Sequence, residues 1–203
     1  MPKPELLYAT NNPGKLDEVG KYLGGGQPIE SPKSLGLQIE VEETGKTLEE
    51  NALLKARAYR AEVGPDTIVM ADDTGLEIDA LDGEPGVKVR RWKDGQTEMT
   101  DGEIVEYCLE RMKDIPAGER TARFRTVIAL ALPDGQEELF DGSLQGEIVE
   151  NDADTRVPGF PFRSLLYLPE IGKMLGEDPP PGFKTHREQA VRKAVDWLRD
   201  YNK

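Results

Sequence analysis

Two adjacent aspartates, Asp72 and Asp73, follow the run Thr67-Ile68-Val69-Met70, whose β-branched and apolar character reads as a buried strand. A carboxylate pair at the carboxyl end of such a strand, succeeded at once by Thr74-Gly75, lies where open α/β sheets present ligands. Carboxylates in that place can hold a divalent cation or take a proton from water. Asp and Gly are also ordinary turn residues, so the same four residues read equally well as a solvated turn. The segment alone does not separate the two readings, and other parts of the chain must.

Strand-like and helix-like segments alternate along the chain. Leu6-Leu7-Tyr8-Ala9 is a short apolar strand running into Thr10-Asn11-Asn12-Pro13-Gly14-Lys15, a helix start with Asn12 as N-cap and Pro13 in the first turn. Leu16, Val19, Tyr22 and Leu23 share one helical face, and Gly24-Gly25-Gly26 is expected to end the element. Thr47-x-x-Glu50 has the pattern of a capping box opening a helix to about Val63, with Ala52, Leu53, Ala56 and Tyr59 inward. After an Asp72-Asp73 turn, Leu76 to Leu81 is a second short strand or a turn of helix. Residues from about Thr97 to Met112 read as helix. Arg123 to Leu132 is the clearest strand; Pro133-Asp134-Gly135 turns it into further strands near Glu138–Phe140 and Gly142–Val149. His186 to about Tyr201 is an amphipathic helix burying Val191, Ala194, Val195 and Leu198. Interleaving of this kind implies an α/β class with a mixed sheet.

At 203 residues the chain can bury one sizeable core. A net charge of −13 disfavours nucleic acid or an anionic membrane as the main partner. Neither a signal peptide after Met1-Pro2-Lys3-Pro4-Glu5 nor a membrane-length apolar run is expected, and Cys108, the one cysteine, suits a reducing cytoplasm as a buried thiol.

Three clusters are candidates for chemistry. Thr10, Asn12 and Lys15 stand at a helix amino terminus, which favours anions; Lys15 there opposes the dipole, and an anionic ligand would account for it. Glu42-Glu43 precede Thr44-Gly45-Lys46-Thr47, whose Gly-Lys-Thr is not a P-loop, since Glu40 occupies the position of the required leading glycine. Were the fold to bring Glu43 near Asp73, the two carboxylates and substrate phosphates would suit Mg²⁺, which accepts few protein ligands. Lys184, the sole histidine His186, and Arg187 cluster at a third helix start, fit for an anion or a base carbonyl.

Taken in order, these segments resemble the inosine triphosphate pyrophosphatase family, also called Ham1-like. The matching motifs are Thr10-Asn11-Asn12-Pro13-Gly14-Lys15 with Glu18; Glu43-Thr44-Gly45 with Glu50-Asn51-Ala52-Leu53-Leu54-Lys55-Ala56; Ala71-Asp72-Asp73-Thr74-Gly75-Leu76 with Pro85-Gly86; Ala122-Arg123-Phe124; and Thr185-His186-Arg187. The resemblance implies one domain over residues 1–203 with two lobes and a deep cleft, a homodimer, and Mg²⁺-dependent cleavage of nucleoside triphosphates between the α and β phosphates. By motif, Asp73 would activate water and bind metal with Glu43, alongside Asp72 and Lys55. Thr10, Asn12, Lys15, Glu18, Lys55 and Thr74 would hold the triphosphate, and His186 and Arg187 would read the base.

One segment departs from the family. Where Gly-Phe-Gly-Tyr-Asp-Pro is usual, the chain has Gly159-Phe160-Pro161-Phe162-Arg163-Ser164. Phe160 and Phe162 keep aromatic faces, whereas Arg163 replaces acceptors by donors and reverses the charge. The stretch before Thr185 is short, leaving Lys184 as counterpart of the family's upstream lysine. The expectation is a pyrophosphatase with a base preference moved away from plain inosine and xanthine. The rival is a nucleotide-binding homologue without turnover, against which the retained Glu43, Lys55, Asp72 and Asp73 argue.

Overall fold

The computed structural model describes residues 6–23 and 28–201. The expected helix stop at Gly24-Gly25-Gly26 and the opening Met1–Glu5 lie outside them. In chain order the elements are β1 (Leu6–Tyr8), α1 (Pro13–Tyr22), β2 (Ile29–Glu30), α2 (Leu48–Arg60), β3 (Ile68–Ile78), β4 (Pro85–Gly86), α3 (Asp101–Met112), β5 (Thr121–Ala131), β6 (Glu137–Ile148), β7 (Leu166–Leu168), β8 (Lys173–Met174) and α4 (His186–Tyr201). The hydrogen-bonded strand order is β2-β1-β3-β5-β6-β7-β8, with β4 paired to β3. Pairing is parallel from β1 to β2 and β3, and antiparallel for β3–β4, β6–β7 and β7–β8. The sheet is mixed, as the interleaved pattern implies.

The chain divides into two compact units, one of residues 1–74, 126–142 and 185–203, the other of residues 75–125 and 143–184. The first is built on parallel β1 and β3, where Leu6 pairs with Ile68 and Tyr8 with Met70. Its core joins Leu6, Tyr8, Ile68 and Met70 to Val19 of α1 and Leu23 just after it, Ile128 and Leu130 of β5, and Ala190, Val191, Ala194 and Leu198 of α4. Burial of such side chains contributes about 1.5–3 kcal/mol each for the larger ones. The second unit packs Leu76 and Ile78 with Ile104, Val105, Cys108 and Met112 of α3, together with Phe124, Leu144, Phe162 and Leu166. Its buried Arg120 donates to the carbonyls of Met112, Ile115, Ile148 and Val149, fastening the end of α3 to the end of β6. Cys108 is buried there.

Three expectations need correcting. Asp72 and Asp73 do not form a turn after a strand; β3 runs through both of them without a break to Ile78, followed by a single 3₁₀ turn at Asp79–Leu81. Aspartate is depleted in strands, and it is tolerated here because both side chains find buried partners. The strands expected at Glu138–Phe140 and Gly142–Val149 are one, β6. The third helix begins at Asp101 rather than near Thr97, because Thr100 and Glu103 close a full capping box. By contrast Thr47 caps α2 through Glu50 N–H at 3.2 Å while the Glu50 carboxylate turns to Lys46 N–H, so that box is half made. Among the described residues no helix is long and apolar enough to cross a membrane.

Candidate active site

Adjacent residues of a strand point to opposite faces, and β3 uses this to give its two aspartates different surroundings within the first unit. Asp72, 2 % exposed, faces β1, α1 and α4. It accepts from Tyr8 Oη at 2.7 Å, Lys15 Nζ at 2.9 Å, Thr74 Oγ1 at 3.2 Å and Arg187 Nη1. Burial by itself would raise its pKa; Lys15, Arg187 and Lys55, with the Tyr8 hydroxyl, outweigh that and hold the carboxyl far below the usual carboxylate range. Arg187 is equally enclosed and also donates to Glu18 Oε2 at 3.0 Å. Burial opposes its charge, but Asp72, then Tyr8 and Glu18, raise its pKa further. Lys15 is pulled down by burial despite the attraction of Asp72.

Asp73 faces α2. Its Oδ2 accepts from Asn51 Nδ2 at 3.1 Å, and its Oδ1 accepts from Thr74 N–H at 2.9 Å. Lys55 Nζ lies 3.7 Å from that Oδ1 and 3.1 Å from Glu43 Oε1. Glu43, carried by the loop before α2, thereby meets Asp73 of β3 at one ammonium. Burial is the largest influence on Asp73 and lifts its pKa to about 6, with Glu43 adding to the rise and Lys55 opposing it. Lys55 is raised because Asp73, Asp72 and Glu43 outweigh its own burial. A carboxyl poised near neutrality beside a cation suits proton abstraction from water.

The first helix is capped as its sequence indicates: Asn12 Oδ1 accepts from Gly14 N–H at 2.9 Å and Lys15 N–H at 3.3 Å, while Thr10 Oγ1 accepts from Asn12 N–H. The anion that accounts for Lys15 is Asp72. Arg187, expected to read a base, is enclosed by the carboxylates of Asp72 and Glu18, and its neighbour His186 is buried as well. Asp72 is the centre of ion pairs with Lys15 and Arg187. Phe160, Phe162, Arg163 and Lys184 belong to the second unit. Phe162 is a core residue there, 1 % exposed and edge-to-face with Trp92 and Phe124. The Arg163 guanidinium sits 4.2 Å from the Phe160 ring centre.

Three residues of the site receive no role from the motif reading: Tyr8; Asn51, although it lies within a matching motif; and Thr126, whose hydroxyl lies 2.8 Å from that of Thr74. A signal exists for two of them. Asn51 is a poor helix former inside a helix, and Thr126 is a fully buried hydroxyl that opens the apolar half of β5.

This constellation occurs where a family model matches. The model described as Ham1 family covers residues 6–197. The chain belongs to the Ham1 family. Relatives include the dITP/XTP pyrophosphatase of Symbiobacterium thermophilum, 38 % identical over 98 % of this chain and 96 % of that protein. That of Thermus thermophilus is 39 % identical, over 97 % and 92 % respectively. Among solved structures, the Ham1 protein of Staphylococcus aureus superposes with a TM-score of 0.80 at 30 % identity, covering 97 % of this chain and 99 % of that one.

Proposed function

We propose that the chain is a Mg²⁺-dependent pyrophosphatase that hydrolyses non-standard purine nucleoside triphosphates and their deoxy forms to monophosphate and pyrophosphate. The observation that carries this reading is the meeting of Glu43 and Asp73 at Lys55, with Asp73 near neutrality. The names of the relatives supply the substrate class.

The donor set fits the cation: Glu43 and Asp73 offer hard carboxylate oxygens, and Mg²⁺ takes a few of these with phosphate oxygens and water. Bound there, it would offset phosphate charge and polarise the phosphoryl group. Asp73 takes the proton of a water molecule aligned with the α–β anhydride. The water oxygen bonds to the α phosphorus as its bond to the bridging oxygen breaks, and the departing pyrophosphate keeps the electron pair. Lys55 and Lys15 supply positive charge for the polyphosphate. Thr10 and Thr74 offer hydroxyls. Asp72 and Arg187 keep Lys15 and Thr74 in place.

Arg163 on Phe160 supports a base preference moved away from plain inosine and xanthine, since it brings N–H donors where the family has an acid. A homodimer and a cytoplasmic location complete the proposal on the family resemblance. The test measures pyrophosphate release from ITP, XTP, dITP, the standard nucleotides and modified pyrimidine triphosphates, with and without Mg²⁺. Release that needs Mg²⁺ and falls about 10²–10⁴-fold in Asp73→Asn is expected. Binding without release by the native chain would favour a regulatory homologue, and strict preference for ITP and XTP would remove the role given to Arg163.

A further inference from the structure

Asn51 is a polar side chain of the site that the reaction above leaves without a task. It stands in the first turns of α2, only 2 % exposed. Both ends of its carboxamide are engaged. Oδ1 accepts from Gly45 N–H at 2.8 Å, and Nδ2 donates to Asp73 Oδ2 at 3.1 Å. Gly45 is two residues from Glu43, so one side chain couples the loop that carries Glu43 to the strand that carries Asp73. The absence of a side chain at Gly45 is required for this contact: a Cβ there would stand 2.5 Å from Asn51 Oδ1 and 2.9 Å from Asn51 N. One helical turn after Asn51, Lys55 reaches the same two carboxylates.

We propose that Asn51 is a positioning residue that holds Glu43 and Asp73 in mutual register for hydrolysis; the assignment rests on the pyrophosphatase reading. The amide suits the task because it carries no charge. A lysine at the same place would add a second cation beside Asp73, and an aspartate would repel it, whereas the amide fixes Oδ2 with a neutral donor. With Oδ2 held by Asn51 and Oδ1 by Thr74 N–H, the carboxylate plane is pinned at two points. The loop is pinned through Gly45 by the same group.

Two variants separate the two ends of the amide. Asn51→Asp keeps an oxygen for Gly45 N–H and sets a carboxylate oxygen where the donor to Asp73 was. Asn51→Ala removes both contacts. Pyrophosphate release is assayed with Mg²⁺ and the best triphosphate, below each variant's unfolding temperature, and amide hydrogen exchange is followed at Gly45. The expected result is a kcat about 10–100-fold lower in both variants with KM little changed. Gly45 exchange should stay slow in the native chain and N51D and become fast in N51A. Native-like kcat in N51D overturns the part played at Asp73, and native-like Gly45 exchange in N51A overturns the hold on the loop. Should N51A fail to fold, N51D decides by its kcat. Absence of turnover in the native chain is a different result, and it sinks the pyrophosphatase reading itself.

Discussion

Asp72 and Asp73 are neighbours with the same side chain and opposite electrostatic fates. Asp72 is surrounded by Lys15, Arg187 and the Tyr8 hydroxyl and stays ionised; Asp73 is lifted to about 6 by burial beside Glu43. The mutational signatures should differ accordingly. Asp72→Asn leaves Lys15 enclosed without its carboxylate and Arg187 with Glu18 alone, which costs about 3–5 kcal/mol for a buried pair broken on one side. Urea unfolding should record that loss for Asp72→Asn and a much smaller one for Asp73→Asn, whose main effect is on turnover; equal losses would contradict the division of roles. Cys108 gives a pH prediction. Burial pushes its thiol to about 12 from an ordinary 9.0, so the native state keeps the proton between those values while the unfolded state releases it. Its contribution to stability is therefore whole below about pH 9 and declines as pH rises through the window up to about 12. At pH 8 an aromatic disulfide reagent should label the thiol only after unfolding. At this scale the sequence was legible for residue identity and not for partnership. The aspartate pair and Lys15 stand out as letters, but nothing local indicates that Lys15 answers Asp72, 57 residues away, rather than a ligand.

Helix α2 shows how one element gathers chemistry from its own periodicity. Thr47, Asn51 and Lys55 recur at intervals of four, so the N-cap, the amide and the ammonium lie along one face. Thr47→Ala removes the cap to Glu50 N–H and should cost about 0.5–2 kcal/mol. A thermal melt measures it; an unchanged melting temperature would mean the cap is redundant. β6 carries a second steric requirement, at Gly142. A Cβ there would lie 2.0 Å from the His186 carbonyl and 2.9 Å from Ala190 N, at the start of α4. Gly142→Ala must therefore move the first turn of α4, which holds Arg187, and overpacking of this kind costs about 1–3 kcal/mol. The same variant should lower turnover by disturbing the partner of Asp72; wild-type stability and turnover together would show that β6 and α4 can separate freely. Helix starts were readable because Asn12, Thr47 and Thr185 announce themselves locally. The course of β3 and β6 was not. Asp72-Asp73 and Asp141-Gly142 carry turn composition, and their strand conformation depends on neighbours distant in sequence.

The two units are discontinuous along the chain, which crosses between them after Thr74, Arg125, Gly142 and Lys184. The first three crossings fall inside β3, β5 and β6, so no linker or change of composition marks them, and the division could not be read from the residues in order. Charge, by contrast, is readable at once. With 39 acidic and 26 basic residues the molecule carries −13, and its overall field opposes a polyphosphate. Local groups must reverse that, and the first unit provides Lys15 and Lys55 against Glu43, Asp72 and Asp73. Those lysines are largely answered by the carboxylates they touch. The Mg²⁺ proposed at Glu43 and Asp73 would add the positive charge that these paired lysines supply only in part. A non-hydrolysable α,β-methylene triphosphate at about a hundred times its Kd, with Mg²⁺ present, should stabilise the native chain by about 2.7 kcal/mol, which for this size raises Tm by roughly 5–10 °C. EDTA should remove most of the shift, because the acidic molecule then meets the bare anion, and Glu43→Gln should behave with Mg²⁺ as the native chain does with EDTA. A shift of the same size with and without the chelator would place the binding charge in the protein's own lysines and take the metal out of substrate binding.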